Sequence, residues 1–262
     1  MPHGAIAVGP LGSARWSRAG WAAGVLPAWI PAARVRAIAS YADRIVIAGG
    51  SKAAVVLPHH DAADWSLDKH GIVIHGVHAD AAGVVLVGER ARRSGSVGVL
   101  VAGDWGRPPV VVEVAGSGPL RAVSRLGGSI FACGDRGSLA TFTPSLAARC
   151  AQVCAARLHA VHALSSTTAV VVGVGSFAFS VDSSLVVSLE AVQTTKTLFS
   201  LARAPDGAMF CGGADGRVLQ RDGSSWRRLR GAAEGSDLLA IDAGAARVRV
   251  FADDGAVLEC RR

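Results

Sequence analysis

Charge is scarce in this sequence: only 18% of its 262 residues are Asp, Glu, Lys or Arg, and half are apolar. That balance excludes an intrinsically disordered chain. Lysine is scarcer still, for of 27 cationic side chains only Lys52, Lys69 and Lys196 are lysines. The net charge of +7 therefore rests on arginine. In a background so rich in Ala, Gly and Val, that bias reflects a GC-rich coding sequence more than selection for phosphate contacts. Aromatic residues are few, with Tyr41 the single tyrosine. Without repeated stacking positions, a nucleic-acid partner is not expected, even with Arg227, Arg228 and Arg230 clustered after Trp226. No apolar run exceeds six residues, far short of the ~20 a helix needs to cross a bilayer. Cys133, Cys150, Cys154, Cys211 and Cys260 form an odd set with no Cys-x-x-Cys, which fits a reducing compartment. The first nine residues carry neither the basic nor the apolar region of a signal peptide. A cytoplasmic protein without membrane contact is expected.

Glycine, by contrast, is abundant, at 32 residues or about 12% against a usual ~7%. It lacks the three-residue period of collagen, so turns must be frequent. Internal repetition supplies them. A phrase of the form aliphatic-x-small-aliphatic recurs at Val35–Ile38, Ile74–Val77, Leu120–Val123, Leu158–Val161, Leu198–Leu201 and Leu238–Ile241, with spacings of 39, 46, 38, 40 and 40. Each phrase is followed by a second β-like run, in most copies closed by Gly. A tight turn comes next, clearest in Asp135-Arg-Gly137, Ala214-Asp-Gly216 and Asp253-Asp-Gly255, where Gly and Asp accept positive φ. A third strand and a short fourth complete the unit.

Four antiparallel strands per ~40 residues is the period of a β-propeller blade, in which each small sheet buries both faces against its neighbours. That explains why the inner runs are apolar on both sides instead of alternating. Leucine-rich repeats have shorter periods, and helical repeats need amphipathic helices that are scarce here. Ser145 to Val161 has helix-like composition, but the repeat register makes it a passage from third to fourth strand. The fold expected is all-β: one propeller domain over 1–262 with blade starts near 35, 74, 120, 158, 198 and 238. Residues 1–34 supply a partial blade that closes the ring. The blade number is six or seven: seven with an imperfect seam, or six with an N-terminal closing strand.

The stretch Leu198 to Trp226, with Gly-Gly-Ala-Asp-Gly-Arg-Val-Leu and Asp222-Gly-Ser-Ser-Trp226, resembles the repeat of bacterial propellers related to photosystem II assembly factors and neuraminidase-type Asp-box proteins. One repeat matches well, and Gly12 to Trp21 and Leu120 to Phe142 match in part. Asp222 and Gly223 are adjacent, where the Asp-box pattern has one residue between them. The resemblance implies a propeller with a binding or assembly role and no enzyme by itself.

The second position of the phrase reads Arg36, His75, Arg121, His159, Phe199 and Leu239, four of which can be cationic. If they converge at the channel mouth, they form a weakly positive ring suited to a carboxylate or phosphate. The spacing of 46 places an inserted loop, with Arg90, Arg92 and Arg93, on the same face, and Trp29 joins it. The pairs His75/His78 and His159/His162 carry metal-ligand types, but residues three apart on a strand face opposite ways unless a bulge intervenes. His59-His-Asp-Ala-Ala-Asp64 has no fixed partner set. Gly49-Gly-Ser-Lys52 lacks phosphate-loop spacing, and there is no Gly-x-Ser-x-Gly elbow. Cys133 and Cys211, at equivalent second-strand sites, are expected as buried thiols. No metal or cofactor is expected.

Two functions remain. The first is a non-catalytic propeller scaffold that presents a rigid face to a protein partner or a small anionic ligand. The second is a glycan-acting hydrolase or lyase at the channel mouth, using acids such as Asp237 or Asp242, which needs paired carboxylates.

Overall fold

The computed structural model describes residues 6–9, 12–17, 20–24, 35–41, 44–50, 52–57, 60–67, 70–105, 108–229 and 235–261, with the side chains of 6–24 and 52–66 excepted. Residues 1–113 and 114–262 form two compact units. Among the described residues there is no α-helix; the chain is a succession of small antiparallel sheets.

The first unit holds a three-stranded sheet, β1 (Ile6–Gly9), β2 (Gly12–Ser17) and β3 (Gly20–Gly24). A four-stranded sheet follows: β4 (Ala37–Tyr41), β5 (Arg44–Gly49), β6 (Lys52–Leu57) and β7 (His60–Ser66). The next comprises β8 (Ile72–Asp80), β9 (Gly83–Arg92), β10 (Gly95–Gly103) and β11 (Val110–Val114), whose last residue opens the second unit.

The second unit continues the pattern with β12 (Leu120–Leu126), β13 (Ser129–Gly134), β14 (Ser138–Phe142) and β15 (Ala148–Gln152), then β16 (Leu158–Ala163), β17 (Thr168–Gly173), β18 (Ala178–Asp182) and β19 (Val187–Leu189). The next sheet is β21 (Leu198–Arg203), β22 (Met209–Gly213), β23 (Val218–Asp222) and β24 (Ser225–Arg228), extended by the two-residue β20 (Ala191–Val192), which pairs parallel with β24. Last come β25 (Leu238–Ala243), β26 (Arg247–Ala252) and β27 (Val257–Arg261). The Ala-rich segment after Ser145 is strand β15, as the repeat register requires: tertiary pairing with β14 overrides its helix-like composition.

The apolar runs are two-sided where a sheet serves two cores, as that of β17 does. In β17, Ala169 and Val171 pack with Phe131, Cys133 and Phe179, whereas Val170 and Val172 pack with Leu198, Met209 and Trp226. A further core joins Phe210 and Val218 to Leu238, Val248 and Val250. In the first unit, Val46 and Ala48 pack with Ile72, Ile74, Val84 and Leu86. Each fully buried Val or Leu contributes roughly 1.5–3 kcal/mol of transfer free energy, and no sheet could bury both its faces alone.

Glycine closes the second strand because of a close approach. A Cβ on Gly134 would lie 2.0 Å from the Pro119 carbonyl oxygen, and one on Gly88 would lie 1.9 Å from that of Val73. The chain passes across that bare Cα, or across Ala252 in the last sheet, and the following N–H clamps it: Asp135 N donates to Pro119 O at 2.9 Å, Val174 to Arg157 O at 3.0 Å, Ala214 to Thr197 O at 2.9 Å and Asp253 to Asp237 O at 2.9 Å. The turn after β13 runs through Arg136 (φ 56) and Gly137 (φ 64), and the one after β22 through Asp215 (φ 54) and Gly216 (φ 67), the left-handed conformations that Gly accepts without strain.

Candidate functional site

The recurring phrase marks a β-bulge. Pairing of first and second strands shifts between Ile74 and Gly76, Leu120 and Ala122, Leu158 and Ala160, Leu198 and Ser200, and Leu238 and Ala240. The skipped residues are His75, Arg121, His159, Phe199 and Leu239, the variable second position. Arg36 stands at the matching place before β4, where its N–H donates to Ala48 O at 2.9 Å. A bulge leaves one residue outside the ladder and re-aims its side chain. The aliphatic first position stays buried: Ile74, Leu120, Leu158, Leu198 and Leu238 are each 0% exposed. The bulge also removes the simple alternation that set His75 and His78 on opposite faces, yet each has a different acid beside it. His75 Nε2 lies 2.9 Å from Glu89 Oε1, and His78 Nε2 lies 3.5 Å from Asp80 Oδ2.

In the second unit the bulge residues stand on successive packed first strands, β12, β16, β21 and β25. Arg121 grips Asp135 with two bonds, Nε to Oδ1 at 3.1 Å and Nη2 to Oδ2 at 2.5 Å. Arg157, leading into the next sheet, reaches the same carboxylate with Nε at 2.7 Å. Burial pushes the Asp135 carboxyl up, but the bonds and charges of Arg121 and Arg157 outweigh it and leave its pKa below the ordinary value. The His159 ring meets Phe199 edge-on, with centroids 5.2 Å apart. Burial first, then the charge of Arg157, holds its imidazole below the ordinary pKa, against the opposing pull of Asp135. Farther along, Lys196 Nζ binds Asp215 Oδ2 at 2.6 Å. Asp237 Oδ1 accepts the Asp215 N–H at 3.3 Å, and Asp253 Oδ1 accepts that of Asp237 at 3.2 Å. Thus Arg121 and His159 are brought together, joined through Arg157 and Asp135.

In the first unit Arg36 is exposed and the His75 side chain is 8% exposed. The expected inserted loop is instead a long hairpin. β9 and β10 run ten and nine residues around a turn at Arg93 and Ser94, because the additional residues pair as Arg90↔Val97 and Arg92↔Gly95. Arg90 and Arg92 both bind Glu113 of β11, and Arg93 is exposed at the tip. Bonds from Arg92 first, then Arg90, hold the Glu113 carboxyl below its ordinary range. Trp29, Arg230 and His59 lie outside the described residues. Cys133 and Cys211 are buried, and burial pushes both thiols up. The described residues contain no group of three metal-ligating side chains and no helix long and apolar enough to cross a membrane.

No family model matches the sequence, and no match to a curated protein was found. Solved structures do match. A catalytically inactive virginiamycin B lyase from Staphylococcus aureus with quinupristin superposes with a TM-score of 0.80 at 8% identity, over 98% of this chain and 94% of that one. The β-propeller domain of Cps50 (Swd1) from Myceliophteria thermophila gives 0.66 at 11% identity, over 97% and 95%. The WD40 repeats of RRP9 give 0.69 at 10%, over 87% and 76%. The fold is a β-propeller. At such identities the likeness shows the fold alone, and propellers carry unrelated functions.

Glu190 is a residue that the repeat did not flag. It sits between β19 and β20, its side chain 1% exposed, and accepts Arg221 Nη2 at 2.6 Å, Arg221 Nε at 2.9 Å and the Trp226 indole N–H at 2.7 Å. This buried bond set ties the connection between two propeller sheets to the fourth strand of the second. At the far end of the same unit, an open depression of about 500 Å³ is lined by His162, Arg203 and the 204–207 turn, where Arg203 Nη1 donates to Leu164 O at 3.3 Å. It is separate from the bulge residues.

Proposed function

We propose that this propeller is a non-catalytic scaffold whose blade-entry end, where the first strands begin, presents a rigid face to a protein partner or a small anionic ligand. The observation that carries this reading is how that end is built in the second unit. Its ionisable groups are engaged with one another, Arg121 and Arg157 on Asp135 and Lys196 on Asp215, while Val174 and Leu239 stand 39% and 53% exposed. Side chains held this way lose little further entropy on binding, which favours recognition. In the first unit, taken by itself, Arg36 and Arg93 are exposed cations. The bulge and glycine clamp supply a stiff backbone beneath them.

The enzyme reading requires two carboxylates facing one substrate. Asp237 accepts a backbone N–H, and Asp242 lies 3.7 Å from Arg249 on an exposed surface. Affinity capture from the source cells, followed by reconstitution with the purified partner, tests the scaffold reading. Wild type is expected to form a stoichiometric complex that Arg157→Ser with Leu239→Ser weakens tenfold or more. Release of reducing ends from a panel of oligosaccharides, abolished by Asp237→Asn or Asp242→Asn, would replace the reading with a glycosidase.

A further inference from the structure

The blade-entry end of the second unit is electrically graded. At its start, on the sheet of β12 and the lead into β16, stand Arg121, Arg136 and Arg157 against the single carboxylate of Asp135. At its finish, on the turns of the last two sheets, four carboxylates face two cations. There Asp237, Asp253 and Asp254 follow the Asp215–Lys196 pair, and the charge of Arg217 also reaches Asp215. Asp254 is held below its ordinary pKa by the Ala256 N–H and then by Ser236, so its charge is kept. Beside these charges stand apolar groups: Val174 and Phe177 at 39% and 36% exposed on the sheet of β16, the half-buried Phe199 on that of β21, and Leu239 at 53% on the last. The 3-10 turn Val174–Ser176 packs on β21, the strand that carries Phe199. The charge thus turns from basic to acidic in the order of the sheets, with an apolar row beside it from Val174 to Leu239.

We infer that this row is a docking surface for a short extended segment of a protein partner that is itself graded the opposite way. Resting on the scaffold reading, the inference adds the chemistry of the partner. Carboxylates of the segment lie over Arg136 and Arg157, an aromatic or branched apolar side chain covers Phe199 and Leu239, and a Lys or Arg points to Asp253 and Asp254. A uniformly acidic ligand meets repulsion at the last two sheets, and a uniformly basic one meets it at the first, so like-charge contacts reject both. The apolar row gives the anchor that surface charges alone do not supply, since exposed ion pairs contribute little. The bulges matter because they place Phe199 and Leu239 outside the ladder.

The test is selection of a random dodecamer peptide library against the full chain. Affinities of the enriched peptides, made synthetically, are then measured for wild type, Arg157→Glu, Arg136→Glu, Leu239→Ser and the far-end control Arg203→Glu, each checked by its melting curve. The enriched peptides are expected to carry acidic and basic residues on opposite sides of an apolar one. Each entry-end substitution should weaken them tenfold or more, and Arg203→Glu less than twofold. Because the arginine substitutions sit on exposed side chains, two independent ones guard against a folding defect in either. Enriched peptides that are acidic throughout, sensitive to Arg157→Glu but indifferent to Leu239→Ser, would overturn the graded partner and leave the scaffold reading standing. Peptides indifferent to every entry-end substitution, or no enrichment, would overturn the docking surface, and the scaffold reading would then rest on its own capture experiment.

Discussion

The indole N–H of Trp226 donates to Oε2 of Glu190 at 2.7 Å, with Trp226 itself 0% exposed. Two forks of Arg221 complete the coordination of that carboxylate. A buried charge is tolerated only when it is paired and hydrogen-bonded in this way.

Removing the acid should therefore destabilise the second unit strongly. Glu190→Ala leaves the Arg221 guanidinium and the indole N–H without their acceptor, and a loss of about 3 kcal/mol is expected. Adding Arg221→Met should recover part of it, because an apolar replacement needs no partner. Urea denaturation of the two single variants and the double gives the cycle; equal losses for the double and the sum of the singles would show that the pair is not coupled.

The glycine clamp makes a second prediction. In Gly134→Ala, the new Cβ meets the Pro119 carbonyl, a backbone atom with no rotamer to change. We expect a loss of about 2 kcal/mol or more, in the range of overpacked cores. The equivalent place in the last sheet is already Ala252, paired with Leu238, so Ala252→Gly should not stabilise the protein. Thermal unfolding of both variants decides it.

Acid should weaken the fold through His159. Its native pKa is lowered, chiefly by burial and then by Arg157, so the unfolded chain takes up the proton first as pH falls. The stability from this group is complete above the ordinary value of 6.5 and declines below it, toward the lower native pKa. Asp135, lowered from 3.8, acts in the same direction at more acid pH. His159→Phe keeps a ring against Phe199 and removes the proton site. Its melting temperature should fall less than that of the parent between pH 7 and pH 5; parallel curves would sink the assignment.

The arginines of the β9–β10 hairpin should matter little to stability. Glu113 and Arg90 are half-buried and Arg92 exposed, so salt still screens much of the cluster. Arg90→Ser with Arg92→Ser should lower the melting temperature slightly at low ionic strength and not at 1 M NaCl. Arg93→Ser, at the tip, should leave it unchanged at both.

The repeat was legible because burial on both faces demands it. The Leu120, Leu158, Leu198 and Leu238 series recurs at each entry, and behind the first three stands a glycine where the chain passes against a bare Cα. The expectation of an inserted loop at Arg90–Arg93 misjudged how two strands use additional residues: pairing them satisfies backbone groups that a loop would leave to water. Alternation sets His75 against His78 and His159 against His162 only where no bulge intervenes, and a bulge falls at His75 and at His159. Glu190 gave no signal, since it stands in a connection where the repeat has no fixed position.

Sequence alone determined the period, the strand count of each unit, the turns that need positive φ and the buried thiols of Cys133 and Cys211, all of which follow from local backbone preferences and the two-sided burial of short apolar runs. Only the tertiary structure decided which charges meet. Asp135 binds Arg157 across neighbouring sheets, Glu190 meets Arg221 and Trp226 from 31 and 36 residues away, and Arg90 finds Glu113 two strands over. Such pairings depend on how stacked sheets bring side chains from different repeats to within hydrogen-bond reach, and a period in the sequence carries no record of that distance.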